Sequence, residues 1–257
     1  MIAILSPSKT LAVEKPRQSG KHTIPDYLEH SEILVDKLRK MSSGRLARLM
    51  GISAKLADEN RQRYQQWATP FDPTNAIPAA LMFKGDVYDG LRAETFTAKD
   101  WRFAQQQLRI VSGLYGLLRP LDLVQPYRLE MGTKLTTRRG KDLYAFWGER
   151  IASGLRDDIE ASKGDPVLMN LASNEYFKVI GKKRLNVKVV AASFKEMQGN
   201  SLKMITFFAK KARGTLARYM TQNQIKTVEG LKDFREDGYC FNSRLSTDDQ
   251  LLFTRGG

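Results

Sequence analysis

A glycine corner, Gly51-Ile52-Ser53, interrupts the helical pattern of residues 42–67 (SSGRLARLMGISAKLADENRQRYQQW) and demands two short helices folded back on one another. Before the corner, Leu46, Leu49 and Met50 recur at helical spacing, and after it Ala57, Tyr64 and Trp67 do the same. Leu46-x-x-Leu49-x-Gly51-Ile52-Ser53-x-x-x-Ala57 is close to a helix-hairpin-helix pattern, in which a Gly-hydrophobic-Gly turn joins two packed helices. Ser53 stands where a second glycine is usual, and its hydroxyl is suited to capping the second helix.

Helix termini supply the chemistry of such a corner. The first N–H groups of the second helix have no intrahelical acceptor, and the helix dipole places partial positive charge there. A phosphate satisfies both, and Gly51 allows close approach. Lys55 falls in the first turn, with Arg45 and Arg48 on the preceding helix. Contacts of this kind hold a nucleic-acid backbone without reading its sequence. The alternative is a helical corner buried in a core, with both arginines merely solvated.

The charge balance favours the first reading. Lys and Arg number 42 against 28 Asp and Glu, a net charge of +14, which points to nucleic acid or an anionic membrane as partner. No apolar run approaches the ~20 residues of a membrane span. The apolar start Ile2-Ala3-Ile4-Leu5 is cut off by Ser6-Pro7 and does not read as a signal peptide. The single cysteine, Cys240, excludes an internal disulfide framework and fits a reducing compartment. A soluble cytoplasmic protein without membrane attachment is expected.

Along the chain, Ile2 to Leu5 reads as a short buried strand that delivers Ser6-Pro7-Ser8-Lys9-Thr10 to its end. Ser6-x-x-Lys9 has the letters of a serine–lysine acyl-transfer pair, but the companion elements of that chemistry are missing. Lys9 remains a candidate site-lining cation. Pro25 to Met41 reads as an amphipathic helix with Tyr27, Leu34, Leu38 and Met41 on one stripe, and its terminal Lys37, Arg39 and Lys40 suit the helix dipole. Trp101, Ala104, Leu108 and Val111 give a further helix, followed by a glycine-bounded turn over Ser112 to Asp122. Leu143, Trp147, Ile151 and Leu155 mark another.

Beyond Gly164 the period changes. Pro166 to Leu171 reads as a buried strand; Asn186 to Ala192 and Lys203 to Phe208 read as two strands pairing antiparallel across Gln198-Gly199-Asn200. A helix over Ala209 to Met220 follows, with Lys210, Lys211, Arg213 and Arg218 on one side and Ala212, Leu216, Tyr219 and Met220 on the other. No acid interrupts that basic face within the helix, whereas an ordinary solvated face mixes Glu with Lys. Gln250 to Thr254 closes the chain as a strand. The fold class expected is α+β, one mixed domain over residues 1–257 with the hairpin at 42–67.

No Cys or His pair has zinc spacing, so neither a metal nor another cofactor is expected. Asp157-Asp158 and Asp248-Asp249 read as surface charge. A second set of polar residues stands among Gly, Leu and Phe, which implies partial burial: Lys84, Asp86, Arg119, Asp122, Arg128, Glu130, Asn170 and Glu175. Buried charges must be paired. These are therefore either a structural ion-pair network or, with Lys9, the lining of a polar cleft.

The segments carrying these residues resemble the YaaA family of bacterial peroxide stress resistance proteins. Ser6-Pro7-Ser8-Lys9-Thr10, FKGDVYDGL from Phe83, SGLYGLLRPLD from Ser112, PYRLEMG from Pro126, NLASNEYF from Asn170 and FFAKKARG from Phe207 occur in the same order over nearly the whole chain. The resemblance implies a role in the oxidative stress response, in limiting damage by intracellular iron and in DNA repair. It also implies the cantaloupe fold, a single α+β unit with a positively charged cleft and a helix-hairpin-helix. Binding of duplex, bubbled and branched (junction) DNA without strong sequence preference is implied too, and no catalytic reaction is.

The function expected is therefore DNA binding through the phosphate backbone. Arg45, Arg48, Gly51, Ile52, Ser53 and Lys55 would form one anchor, and Lys210, Lys211, Arg213 and Arg218 a second across a basic cleft. The alternative is an enzyme acting on an anionic or nucleic-acid substrate among the cleft residues.

Overall fold

A computed structural model describes residues 1–12, 21–199 and 201–256. Its first strand, β1 (Ile2–Leu5), is wholly buried, and hydrogen bonds to parallel neighbours on both sides. A parallel strand in that position needs crossover connections and cover on both faces. The chain provides both. After β2 (Thr10–Leu11) come α1 (Leu28–Arg39), α2 (Ser43–Met50) and α3 (Ala54–Gln66), then β3 (Ile77–Pro78), α4 (Ala79–Met82), β4 (Phe83–Lys84), α5 (Asp86–Leu91) and α6 (Ala98–Gln107). β5 (Leu108–Ser112), β6 (Gly116–Leu118) and β7 (Leu123–Val124) lead to α7 (Leu143–Ala161) and β8 (Val167–Asn170). Then follow α8 (Asn174–Ile180), α9 (Lys182–Leu185), β9 (Lys188–Gln198), β10 (Ser201–Lys203), α10 (Thr206–Gln222), β11 (Cys240–Phe241) and β12 (Gln250–Arg255).

Eight of these strands form one mixed sheet in the order β11-β12-β9-β8-β1-β5-β6, with β10 paired to β9. The five central strands β12, β9, β8, β1 and β5 run parallel, and β6, β10 and β11 are antiparallel additions at the margins. The domain is thus a mixed α/β unit, and the expected α+β class is corrected by its parallel centre. The reason lies at Leu108 and Val111. Their spacing from Trp101 and Ala104 continues a helical period, yet α6 ends at Gln107 and both belong to β5, buried beside β1. A fully buried strand is apolar on both faces, so its residues fit a helical stripe as readily as a strand.

Other expectations hold with shifted ends. Leu34, Leu38 and Met41 are buried along and just beyond α1, Ala57, Tyr64 and Trp67 along α3, and the β9–β10 pair is antiparallel. The turn residue Asn200 lies outside the described residues. The segment expected as a strand from Lys203 to Phe208 keeps only Lys203 in β10, because α10 begins at Thr206. Asp158 is not free surface charge: it receives a bidentate contact from Arg109, whose side chain is almost fully buried on β5. Asp248 and Asp249 are exposed, as expected.

One close helix crossing fixes the end of the sheet on which the polar groups gather. α10 lies against α5 with Gly214 facing the Val87 carbonyl and Gly90 facing that of Lys211. A Cβ at Gly214 would stand 1.7 Å from the Val87 oxygen, so only glycine permits this approach. Alanine is intrinsically favoured over glycine in a helix by about 1 kcal/mol, so any loss on substitution measures the crossing itself. Gly214→Ala is expected to destabilise the fold by about 2 kcal/mol or more, read as a lower denaturant midpoint with unchanged slope.

Candidate functional site

The strand order places the polar segments together. From β1 the chain builds outward to β5 and β6 on one side, then returns through α7 to β8, β9 and β12 on the other. In open parallel sheets ligands usually bind outside the carboxyl ends of the strands at such a reversal. Ser6 follows β1, Asn170 ends β8 and Ser112 ends β5. The Ser6 hydroxyl accepts the Ser173 amide at 2.9 Å, and the Ser6 carbonyl accepts the Tyr88 hydroxyl at 2.9 Å. The Asn170 amide oxygen accepts the Ala172 N–H and so turns its own loop.

Glu130 sits over this edge because Gly113 lets a second backbone cross closely. A Cβ at Gly113 would stand 2.2 Å from the Leu129 carbonyl. Glu130 is held from both sides, by the Lys9 ammonium at 2.9 Å and by Arg128 at 3.0 Å. Two residues on, the Gly132 amide donates to Glu175 at 2.8 Å. Of the expected cleft residues, Lys9, Arg128, Glu130 and Glu175 are therefore brought together. Lys84 is exposed on β4, opposite Thr10 of β2, and Asp86 begins α5 just beyond. Arg119 is placed elsewhere. It pairs with Asp26 at 3.0 Å and with buried Asp122 at 2.9 Å, lining a small cavity beside Arg109 and Asp158. Arg119 and Asp122 thus take part in an ion-pair network away from Lys9 and Glu130. Burial outweighs the Thr23 and Arg119 contacts to Asp122, so its carboxyl titrates above the ordinary range.

The hairpin helices α2 and α3 meet at Gly51, which adopts a left-handed conformation (φ 62°) and closes α2. The Gly51 and Ile52 amides both point to the Ala47 carbonyl. They are thus engaged in the turn, a correction to the expectation that they contact phosphate. Ser53 caps α3 by accepting the Leu56 amide. Among the described residues the Ser53, Ala54 and Lys55 amides find no acceptor, and all three residues are exposed. The free donors are thus the first N–H groups of the second helix, and of Gly51, Ile52 and Ser53 only Ser53 is among them.

Four hydrogen bonds tie the hairpin to the rest of the site. The Tyr64 hydroxyl donates to the Arg128 carbonyl, Trp67 donates to the Tyr115 hydroxyl at 3.0 Å, and Arg39 of α1 donates to the Tyr64 and Trp67 carbonyls. Burial raises the Tyr64 and Tyr115 hydroxyls above the ordinary tyrosine range, so both act as neutral donors. As a result Arg45, Arg48 and Gly51 share one cavity of about 990 Å³ with Glu130, Glu175 and Lys134.

A second cavity of about 730 Å³ shares Arg45 with the first, and Lys37, Lys40, Arg138 and Arg139 line it with Asp36. Sequence reasoning missed Lys37 and Lys40 as site residues by assigning them to the dipole of α1. Only the fold brings that helix end beside the 137–139 loop. Arg45, Arg48 and Lys55 are exposed and, among the described residues, pair with no carboxylate. The three carboxylates are already engaged: Glu130 with Lys9 and Arg128, Glu175 with the Gly132 amide, and Asp36 with Arg39.

The cations of α10 lie apart from this pair of cavities. Lys210 faces Asp86 at 3.9 Å and Lys211 faces Asp237 at 3.7 Å, so acids from other elements oppose a face that is unmixed within its own helix. Exposed pairs at that separation contribute about 0–1 kcal/mol, too little to withhold either lysine from a stronger anion. Arg213 is largely buried, which lowers its affinity for the proton, and Arg218 has a buried Nε without a partner. Among the described residues no three His, Cys, Asp or Glu side chains converge as a metal requires, and no helix is long and apolar enough to cross a membrane. A further cavity, of about 1030 Å³, lies against Phe96 and Trp101.

The fold defines a mixed α/β protein in which polar side chains gather near the carboxyl ends of the central strands, with exposed cations on the neighbouring helical corner. Residues 1–245 match the family described as peroxide stress protein YaaA, and the chain belongs to that family.

His30 provides a check on the second cavity's electrostatics. Its Nε2 accepts from Arg150 Nε at 3.1 Å, as only an unprotonated nitrogen can. Burial first, then Arg139 and Arg150, hold its pKa below the ordinary 6.5, against a smaller opposing effect of Glu29. The unfolded chain therefore takes up this proton more readily than the folded one, and stability falls as pH is lowered through about 6.5. Denaturant midpoints at pH 7.5 and 5.5 are expected to differ less in His30→Gln than in the parent protein.

Proposed function

We propose that the chain serves the peroxide stress response by binding DNA through the phosphate backbone, sheltering duplex, bubbled or branched DNA or presenting it to repair enzymes. One observation carries this reading. Two adjoining cavities share Arg45 and are lined by Arg48, Lys134, Lys37, Lys40, Arg138 and Arg139, while each carboxylate beside them already has a donor. The free amides of Ser53, Ala54 and Lys55 add donors at the uncovered end of α3, where the helix dipole favours an anion. None of these groups forms a base-reading element, so contact with phosphates gives affinity without sequence preference. Lys210 and Lys211 supply a second contact, whereas the burial of Arg213 argues against its taking part.

A second reading rests on the crevice itself. Lys9, Arg128, Glu130 and Glu175 converge at the carboxyl ends of β1 and β8, and the Arg128 Nε is buried without an acceptor. These are the surroundings of an enzyme acting on an anionic or nucleic-acid substrate. Its mark would be a reaction abolished by Glu130→Gln with DNA affinity retained.

The backbone reading is tested by fluorescence anisotropy of labelled duplex, bubble and junction DNA at several salt concentrations. Arg45→Ala and Arg48→Ala are each expected to weaken every sequence alike and to lower the salt slope by about one. Unchanged affinity in both would remove the hairpin from the binding surface.

A further inference from the structure

A smaller cavity, about 400 Å³, opens beside the first turns of α10, and the readings above use only its Lys211. Its apolar wall is Phe207, Phe208 and Tyr239. Phe207 is 56% exposed, with its ring set edge-on to Phe208 at 5.4 Å. An exposed phenylalanine face leaves apolar surface in water, which a flat ligand would cover. The cavity's polar lining comes from Asp86, Asp89 and Asp237, with Lys211 and Arg255.

Aromatic rings beside carboxylates suit either a cation or a flat ring bearing N–H donors. The contacts favour the second. Arg255 already covers Phe208 at 4.4 Å and Tyr239 at 4.7 Å, and is fixed there by Glu196 at 2.7 Å. Lys211 and Lys210 stand 3.7 and 3.9 Å from Asp237 and Asp86, so an added cation would meet a lysine beside each of these carboxylates. The cavity's demand for positive charge is therefore met from within. What remains is the open face of Phe207 and the exposed Asp89 carboxylate, which has no donor among the described residues. The ammonium groups of Lys210 and Lys211, each about half exposed, stand alongside.

We propose that this cavity is a nucleobase site. It seats a guanine-type base against Phe207, places its adjacent N1–H and N2–H donors on Asp89, and leaves its phosphate to Lys210 and Lys211. Stacking on an aromatic face accepts any base, whereas a carboxylate favours the edge with paired donors over thymine, which offers one. The same chemistry is presented by a free nucleotide and by an unpaired base in a DNA strand. The DNA-binding reading bears only on which of these is the source.

The test is isothermal titration of the full chain with guanosine monophosphate, thymidine monophosphate and putrescine. Anisotropy with a paired duplex and with the same duplex carrying one unpaired guanine runs beside it. Saturable guanosine monophosphate binding is expected, about tenfold tighter than thymidine monophosphate. Phe207→Ala and Asp89→Ala, both at exposed positions, should each weaken it about tenfold. If the unpaired guanine tightens DNA binding and Phe207→Ala removes that gain, the source is a strand; nucleotide binding without such a gain identifies a free nucleotide. Guanine binding indifferent to both substitutions, equal affinity for the thymine nucleotide, or putrescine binding that the substitutions abolish instead would each overturn the proposal. The paired duplex reads the backbone function separately. If it binds while the guanine arms fail, only the base site falls; if it fails while the nucleotide binds, only the backbone reading falls.

Discussion

The burial of β1 between two parallel neighbours is the constraint from which the rest of the structure follows. A strand with no exposed residue and no edge must be reached by crossovers on both sides, so β5 and β8 arrive through long helical connections. Parallel alignment then sends the ends of β1, β5 and β8 to the same side of the sheet. Polar side chains that are distant in sequence, such as Ser6 and Ser173, meet there without any local motif linking them. The burial of apolar surface that stabilises the sheet thus also gathers these polar groups at one end of it.

The corner of α2 and α3 is placed by what lies behind it. Tyr64 and Trp67 are buried and donate to the Arg128 carbonyl and the Tyr115 hydroxyl, while Arg39 holds the end of α3 through its carbonyls. Neutral buried hydroxyls are suited to this role because their donors need no counter-charge. The exposed cations at the front of the hairpin are consequently free of structural duty. Arg45 and Arg48 are held near one another by the helix alone and not by acidic partners, which leaves their charge for an incoming anion.

Much of this was legible in the sequence where local physics decides. The Gly51 turn, the Ser53 cap and the stripes of α1 and α3 are set by spacing and by residue chemistry within one or two turns. What was not legible depends on pairings across the chain. Leu108 and Val111 carry a helical period but lie in β5, because burial on both faces erases the alternation that marks a strand. Asp158 looked solvated because its partner Arg109 is remote in sequence. The basic face of α10 looked unopposed because Asp86 and Asp237 come from other elements. Lys37 and Lys40 were explained by their own helix and acquired a second role only when the fold set Arg138 and Arg139 opposite them.

These pairings also decide where the net charge of +14 can act. A uniform excess of cations would attract any polyanion weakly and equally from all sides. Here the acids are not spread evenly: Asp122 and Asp158 are drawn inward to Arg119 and Arg109, and Asp86 and Asp237 turn toward α10. Each internal pairing removes an acid from the neighbourhood of the hairpin. Glu130 and Glu175 are the carboxylates that remain at the first cavity, and both are held on the crevice side by Lys9, Arg128 and the Gly132 amide. On the DNA-binding proposal, the exposed cations around Arg45, which line two adjoining cavities, are where an anion would be drawn most strongly. On that proposal, neutralising the interior and leaving the corner unpaired would turn a general excess of lysine and arginine into a directed binding surface.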